Sequence, residues 1–237
     1  MRDPAQTREQ FERDGFVILP GLFGDAECDA LNAELTPLFE AQQHRAKSRI
    51  GGVRNLLAFS PCVAAIATAP KAISLLAALG APGAFPVRSI FFDKTPDANW
   101  VVAWHQDVQI AVAERLEVPG FGPWTTKAGV THVQPPAAIL EEMFTVRLHL
   151  DDCDETNGAL RVVPGSHAQG VLSSKALEES KHKLAVTCSV PKGGILVMRP
   201  LLLHASSSAQ VPGHRRVLHL EYATLPLPGG LRWHERP

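Results

Sequence analysis

The sequence predicts a mainly β protein with flanking helices, in which a helix-rich N-terminal third leads into an antiparallel sandwich or barrel. Three observations predict it. Before Gly83, apolar side chains recur near helical spacing between proline-marked helix starts. After Gly83, the chain breaks into short β-branched or alternating runs punctuated by Gly, Pro, Asn and Asp. No Gly/Ser linker, fixed-period repeat or low-complexity tract separates the two regions. Residues 1–237 are therefore read as one domain, with a helical flank over 1–82, a β-core over 83–225 and a long insertion or lid over 108–142.

Asp3 before Pro4 reads as an N-cap with proline at the first helical position, and that helix closes at Gly15. "FVILPG" then reads as a short strand. From Asp25 to about Arg45, the residues Ala26, Leu31, Leu35, Leu38 and Phe39 fall near helical spacing, and Pro37 is expected to kink or interrupt the run. Ser60-Pro61 and Ala69-Pro70 mark two further helix starts, the second leading to "AISLLAALG". The strand candidates are "FPVRSIFFDK", "NWVVAWHQD", "EMFTVRLHLDD", "GALRVVP", "HKLAVTCSVP", "GGILVMRP", "LLLHASSS" and "RRVLHLEYATLP". "KALEESKHK" reads as a solvated helix followed by a basic turn. Between Asp107 and Met143, "PGFGPW" and "VQPPAAILEEM" supply turn residues and a short helix. A connection of that length usually serves as a lid or substrate wall, so specificity is expected there.

Composition narrows the function classes. A hydrophobic content of 45%, a charged content of 20% and a net charge of −1 describe an ordinary globular chain with no call for a polyanion partner. One Tyr, four Trp and ten Phe supply few stacking surfaces for single-stranded nucleic acid. "MRDPAQTREQFERDG" is too polar for a signal peptide, and the apolar runs look too short to cross a bilayer, so no membrane partner and a cytoplasmic location are expected. Cys28, Cys62, Cys153 and Cys188 lie far apart, without a C-x-x-C pair, and are expected to be buried thiols.

The chemistry concentrates in "VVAWHQDVQI". His105 and Asp107, two residues apart on extended chain, project from the same face and can share a ligand. Non-haem iron sites use two histidines and one carboxylate in this way, leaving the other positions open. The spacing alone is weak, since ten His and ten Asp in this chain give roughly 0.4 such pairs by chance. His149 with Asp151 and His219 with Glu221 are rivals. His219 has only His234 downstream as a third ligand, and His149 reads more simply as a strand residue lining a cavity. His105 is better placed, because His204 and then Arg215 follow it in order. Arg215 and Arg216 must point to opposite faces of their strand, and the spacing favours Arg215 as the one that enters the core, where its fork suits a carboxylate. Trp104 and Trp124 read as packing or cavity-wall residues.

The ordered pieces "FFDK", "WHQD", "LDDCDETNGALRVVPGSH" and "HASSSAQVPGHRR" resemble the phytanoyl-CoA dioxygenase family of Fe(II)/2-oxoglutarate-dependent oxygenases over about residues 90–220. The resemblance implies a double-stranded β-helix, a jelly-roll or cupin-like barrel. It implies His105, Asp107 and His204 as ligands of Fe(II), Arg215 as the partner of the distal carboxylate of 2-oxoglutarate, and Ser206 and Lys94 beside that cosubstrate. Arg147 stands where relatives often carry an aromatic residue near the cosubstrate. Asn157-Gly158 and Pro164-Gly165 would make turns, with Ser166 and His167 capping the second, and Thr156 replaces the usual acidic or amide residue before Asn-Gly. The implied reaction consumes O2 and 2-oxoglutarate, releases succinate and CO2, and hydroxylates a small organic molecule. The carboxylate at position 107 points to hydroxylation, because halogenating relatives carry a small residue there.

Two other functions fit the same residues: a non-catalytic metal- or ligand-binding jelly roll, and a zinc hydrolase using His105, Asp107 and His204. The substrate is expected to be a small hydrophobic or amphipathic metabolite. A coenzyme A thioester would prefer a basic entrance, of which the near-neutral charge balance gives no sign.

Overall fold

The computed structural model describes residues 3–45, 52–180, 184–211 and 213–235. The N-terminal third holds α1 (Pro4–Asp14), β1 (Phe16–Leu19), α2 (Asp25–Arg45), β2 (Val53–Arg54), α3 (Pro61–Ala67) and α4 (Pro70–Ala78). Asp3 caps α1 by accepting the Ala5 N–H, and Gly15, at φ 79°, ends it in the left-handed conformation that glycine adopts freely. α2 runs through Pro37 without interruption. Pro37 and Ala33, whose carbonyl loses its partner, lie on the exposed face, where water satisfies the freed group. The opposite face buries Cys28, Leu31, Leu35 and Phe39 and holds the helix together, whereas Ala26 and Leu38 of the predicted apolar set are exposed.

The rest of the chain supplies β3 (Phe85–Lys94), β4 (Val102–His105), β5 (Ile110–Val112), β6 (Trp124–Lys127), β7 (Val130–Val133), α5 (Ala137–Glu141) and β8 (Phe144–His149). β9 (Leu160–Val162), α6 (Ser174–Ser180), β10 (Val186–Cys188), β11 (Ile195–Met198), β12 (His204–Ser206) and β13 (Arg215–Ala223) complete it. Two antiparallel sheets form the core, in the orders β1-β11-β8-β13-β3-β2 and β10-β9-β12-β4. They face one another as a jelly roll, and among the described residues no continuous hydrogen-bonded ladder closes them into a barrel. The predicted helical flank also contributes both edge strands of the larger sheet: β1 pairs with β11 and β2 with β3.

The helices cover the outer face of that sheet. Phe11 of α1 stacks on Phe144 at 5.3 Å, and the buried Tyr222 hydroxyl donates to the Ala67 carbonyl at the end of α3. Residues Pro61–Ala78 reach a mean hydropathy of 1.5 over 18 residues, long and apolar enough by composition to cross a bilayer, which corrects the expectation from the apolar runs. Here Thr68 and Ala69 divide them into α3 and α4, whose Val63, Ile66, Ala67, Ala72 and Leu76 are buried in the core.

The segment expected to be a loop with a short helix is more ordered than that. It forms a third antiparallel sheet, β5-β7-β6, with Ile110, Val112, Phe121, Val133, Leu140 and Met143 packed in a core of their own. The β6–β7 hairpin turns on Ala128 and Gly129, both at positive φ, which sets Lys127 opposite Val130. α6 ends at Ser180, and the predicted basic turn at Lys181–Lys183 lies outside the described residues. Cys28, Cys153 and Cys188 are buried free thiols, and Cys62 is half-buried.

His132 on β7 is 1% exposed, with Nδ1 against the Val130 carbonyl. Burial holds its pKa down at about 4. The unfolded chain therefore takes up this proton first as the pH falls from about 6.5, and stability is lost until about pH 4, by about 3 kcal/mol for this residue alone. Urea unfolding midpoints are expected to fall over that window, and His132→Phe should flatten the slope; an unchanged slope would mean that the ring is protonated when folded.

Candidate metal centre

β12 pairs antiparallel with β4 so that His204 lies directly across from His105. β4 ends at His105, and the next two residues are held extended by tertiary bonds. The Gln106 amide, pointing away, donates to the Gly170 and Leu201 carbonyls at 2.9 and 2.7 Å and accepts the Leu172 N–H at 2.8 Å. The Asp107 N–H donates to the Pro200 carbonyl. Asp107 thereby returns to the side of His105: its carboxylate oxygens lie 3.7 Å from His105 Nε2 and 3.6 Å from His204 Nε2. One ligand atom from each of the three residues lies within 4.8 Å of the others.

Both rings are set for metal binding. His105 Nδ1 and His204 Nδ1 each lie 2.8 Å from the carbonyl two residues earlier, Ala103 and Leu202. That contact places the proton on Nδ1 and leaves the Nε2 lone pair facing Asp107. An ion bound at about 2.1 Å by three mutually adjacent donors needs them about 3 Å apart, so a small inward adjustment closes the set around a cation. Burial holds His204 neutral, with its pKa pushed down to about 4. For Asp107, burial is outweighed by the fields of His204, His105 and His219, which hold the carboxylate well below the usual range.

The three residues line a cavity of about 320 Å³ between the sheets. At one end, Arg215 on β13 pairs with Lys94 on β3, while Arg147 on β8 lies two residues from His149. Lys94 is 1% exposed; its ammonium donates to the Ser206 hydroxyl at 3.3 Å and to the Ser207 carbonyl. Burial and the neighbouring Arg215 push its pKa down to about 8. Lys94 is therefore an interior residue of the cavity end and not a solvated strand-end lysine. Arg147 and Arg215 are also buried, and the Nε of each has no hydrogen-bond partner among the described residues. No carboxylate forms an ion pair with Lys94, Arg147 or Arg215 among the described residues. Arg216 points the other way, onto Asp151.

A family model for phytanoyl-CoA dioxygenase (PhyH) matches residues 11–217. The chain belongs to the phytanoyl-CoA dioxygenase family. Among solved structures, it is similar to AviO1 from Streptomyces viridochromogenes Tue57, at 23% identity over 96% of this chain and 99% of that one, with a TM-score of 0.69. EctD from S. alaskensis with 2-oxoglutarate and 5-hydroxyectoine matches at 20% identity over 93% and 76%, with a TM-score of 0.71. The epimerase SnoN in complex with Fe3+, alpha ketoglutarate and nogalamycin RO matches at 19% over 96% and 92%, with a TM-score of 0.70. No curated protein sequence matches the chain. At these identities, the solved structures show a shared jelly-roll fold.

Asn157-Gly158 makes the expected turn, and Gly158, at φ 80°, is required there also because a Cβ would meet the Ser207 carbonyl at 2.6 Å and the Lys94 ammonium at 3.0 Å. Other family-motif residues do different work from that expected. Ser166 and His167 do not cap their turn: the Ser166 hydroxyl accepts the Leu203 N–H, and His167 Nε2 lies 3.2 Å from the Glu12 carbonyl, which ties the loop to β12 and α1. His149 is enclosed and does not line the cavity. Trp104 packs under Arg161, and it is Trp100, unmarked in the sequence, that lines the cavity. His219 lies in the cavity but outside the three-residue set. Its Nδ1 accepts from Arg147 at 3.0 Å, and its Nε2 lies 3.3 Å from Glu221. Glu221, the acid of the rival pair, also lines the cavity, as do Arg54, Arg88 and Lys127, which carried no sequence signal because their neighbours in space are remote in the chain.

Removing the carboxylate that joins the two rings should cost metal binding. Asp107→Ala is expected to weaken Fe(II) or Co(II) affinity by more than about 100-fold, since even residues behind a ligand account for 10–100-fold; titration calorimetry with unchanged affinity would reject the set. Gly158→Ala should displace Lys94 and weaken 2-oxoglutarate binding without altering metal affinity, readable in the same titrations.

Proposed function

We propose that the chain is a non-haem Fe(II)/2-oxoglutarate-dependent dioxygenase that hydroxylates a small organic substrate with release of succinate and CO2. One observation carries this reading: a His105/Asp107/His204 set and a buried cationic end without an acid partner share one cavity. Buried unpaired guanidinium groups are costly, and a carboxylate arriving between them offsets that cost. The family membership and the Fe3+ and alpha ketoglutarate held by SnoN support the same reading.

In this assignment, His105, Asp107 and His204 hold Fe(II) on one face, with Asp107 supplying the negative charge and the two rings neutral donors. When bound, the iron with 2-oxoglutarate and O2 supplies oxidative decarboxylation coupled to hydroxylation of a C–H bond. Arg215 grips the distal carboxylate of 2-oxoglutarate, Ser206 and Lys94 complete that end, and Arg147 lies beside it. Arg147 is itself positioned by His219 and stacked over Phe92 at 5.7 Å. Ile90, Phe92, Val102 and Leu160 wall the cavity and keep water away from the reacting centre. A zinc hydrolase has no use for the cationic end, and that end is what separates the two readings.

Succinate formation from 2-oxoglutarate, measured with Fe(II) and ascorbate against a panel of small metabolites, is the direct test. Arg215→Gln is expected to raise the KM for 2-oxoglutarate at least about tenfold, the loss of one charge-assisted bond pair. Turnover that is indifferent to Arg215, or activity supported by Zn(II) without 2-oxoglutarate, would overturn the proposal.

A further inference from the structure

The cavity has a second cationic end, and the geometry points to a small substrate that carries a carboxylate or phosphate held there by Arg54 and Lys127. This rests on the dioxygenase reading for the identity of the opposite end and names the substrate class for the same cavity. The strand β13 acts as a ruler. Arg215, His219 and Glu221 lie on its cavity face, and opposite them on β3 lie Lys94, Ile90 and Arg88 in register. From residue 215 to residue 221 the strand advances about 20 Å, so the Arg88 end is remote from the Arg215 end. His219 sits between them on the same face and lines the cavity together with His105, Asp107 and His204.

The charges at this second end do not cancel. Arg88 is satisfied by Glu221 at 2.8 Å. Arg54 is placed by β2, where it lies directly across from Ile90 and so shares the cavity face. Gly52 permits this close approach, because a Cβ there would meet the Phe91 carbonyl at 2.7 Å. Arg54 lines the cavity with a buried Nη1 that has no hydrogen-bond partner among the described residues. Lys127 reaches the same space from the tip of the β6–β7 hairpin. Its pKa is lowered by burial and by the fields of Arg88 and Arg54. Three cations thus surround one carboxylate, and the two left over, Arg54 and Lys127, converge on the cavity without an anion.

The near-neutral charge of the whole chain concealed this basic end, which narrows the expected small hydrophobic or amphipathic metabolite to one that carries an anionic group. An oxyanion here offsets the desolvation of Arg54 and is held by a fork and an ammonium together. Arg54 stands level with His219 in register and two strands across the sheet from it, about 10 Å away, the reach of a compact molecule. The 320 Å³ volume, at the small end for ligand pockets, must also admit the cosubstrate and agrees with that size.

The test measures binding without turnover. Inorganic phosphate and butyrate are titrated calorimetrically into the wild-type chain, Arg54→Gln, Arg54→Lys and Lys127→Glu, each saturated with Co(II) and 2-oxoglutarate so that the Arg215 end is occupied. Arg54→Lys is expected to keep most of the wild-type affinity, and Arg54→Gln and Lys127→Glu to lose at least about tenfold, the worth of one charge-assisted hydrogen bond. The tighter of the two probes names the anion class. Lys127 is exposed on its hairpin, so its variant tests the site with the core untouched. Affinity indifferent to both Arg54 and Lys127, or no binding of either probe, would overturn the inference. Failure of the dioxygenase reading shows separately, as absence of 2-oxoglutarate turnover in a chain that still binds the anion through Arg54 and Lys127.

Discussion

The pairing of β12 with β4 is the constraint on which the rest of the site depends. It sets His204 opposite His105 although 98 residues separate them in the chain. Each ring is oriented by a carbonyl of its own strand, so the pairing delivers two imidazoles already aimed at one point. Asp107 has no strand to hold it. It reaches that point because the Gln106 amide and the Asp107 N–H anchor the chain to Gly170, Leu172, Pro200 and Leu201. The residue between the two ligands is thus a strut, and its bonds run away from the cavity.

The second organising element is β13, whose period of two lines one face with cavity residues and the other with different partners. Arg215 faces inward while Arg216 locks Asp151, and Lys94 faces inward while its neighbour Asp93 meets His214. The chain Arg147, His219, Glu221, Arg88 runs along this face as a continuous set of charged and neutral hydrogen bonds. It runs between two groups of cations that have no acid partner among the described residues, Lys94 with Arg215 and Arg54 with Lys127. A buried charge of that kind has a low free energy only when a ligand of opposite sign is present, which is why the geometry carries information about ligands.

The insertion between Asp107 and Met143 illustrates how local pattern understates order. Its strands are three or four residues long and its turns are rich in glycine and proline, so neither period is long enough to read. Its stability comes from a core of its own, to which Leu201, Ala223, Leu227 and Trp233 from the far end of the chain contribute. That packing fixes the hairpin whose last strand residue, Lys127, reaches the cavity.

Helix starts at Asp3, Ser60 and Ala69, the strand-rich region after Gly83, the His105/Asp107 spacing and the choice of Arg215 over Arg216 were all legible in the amino-acid order. They rest on capping, backbone stiffness and side-chain periodicity, which act within a few residues. Tertiary structure alone decided that the N-terminal third lends β1 and β2 to the large sheet, that Lys94 is buried beside Arg215, and that Arg54, Arg88 and Lys127 meet at one end of the cavity. Those outcomes depend on register between distant strands and on what fills the space between sheets. Charge summed along a chain carries no trace of either.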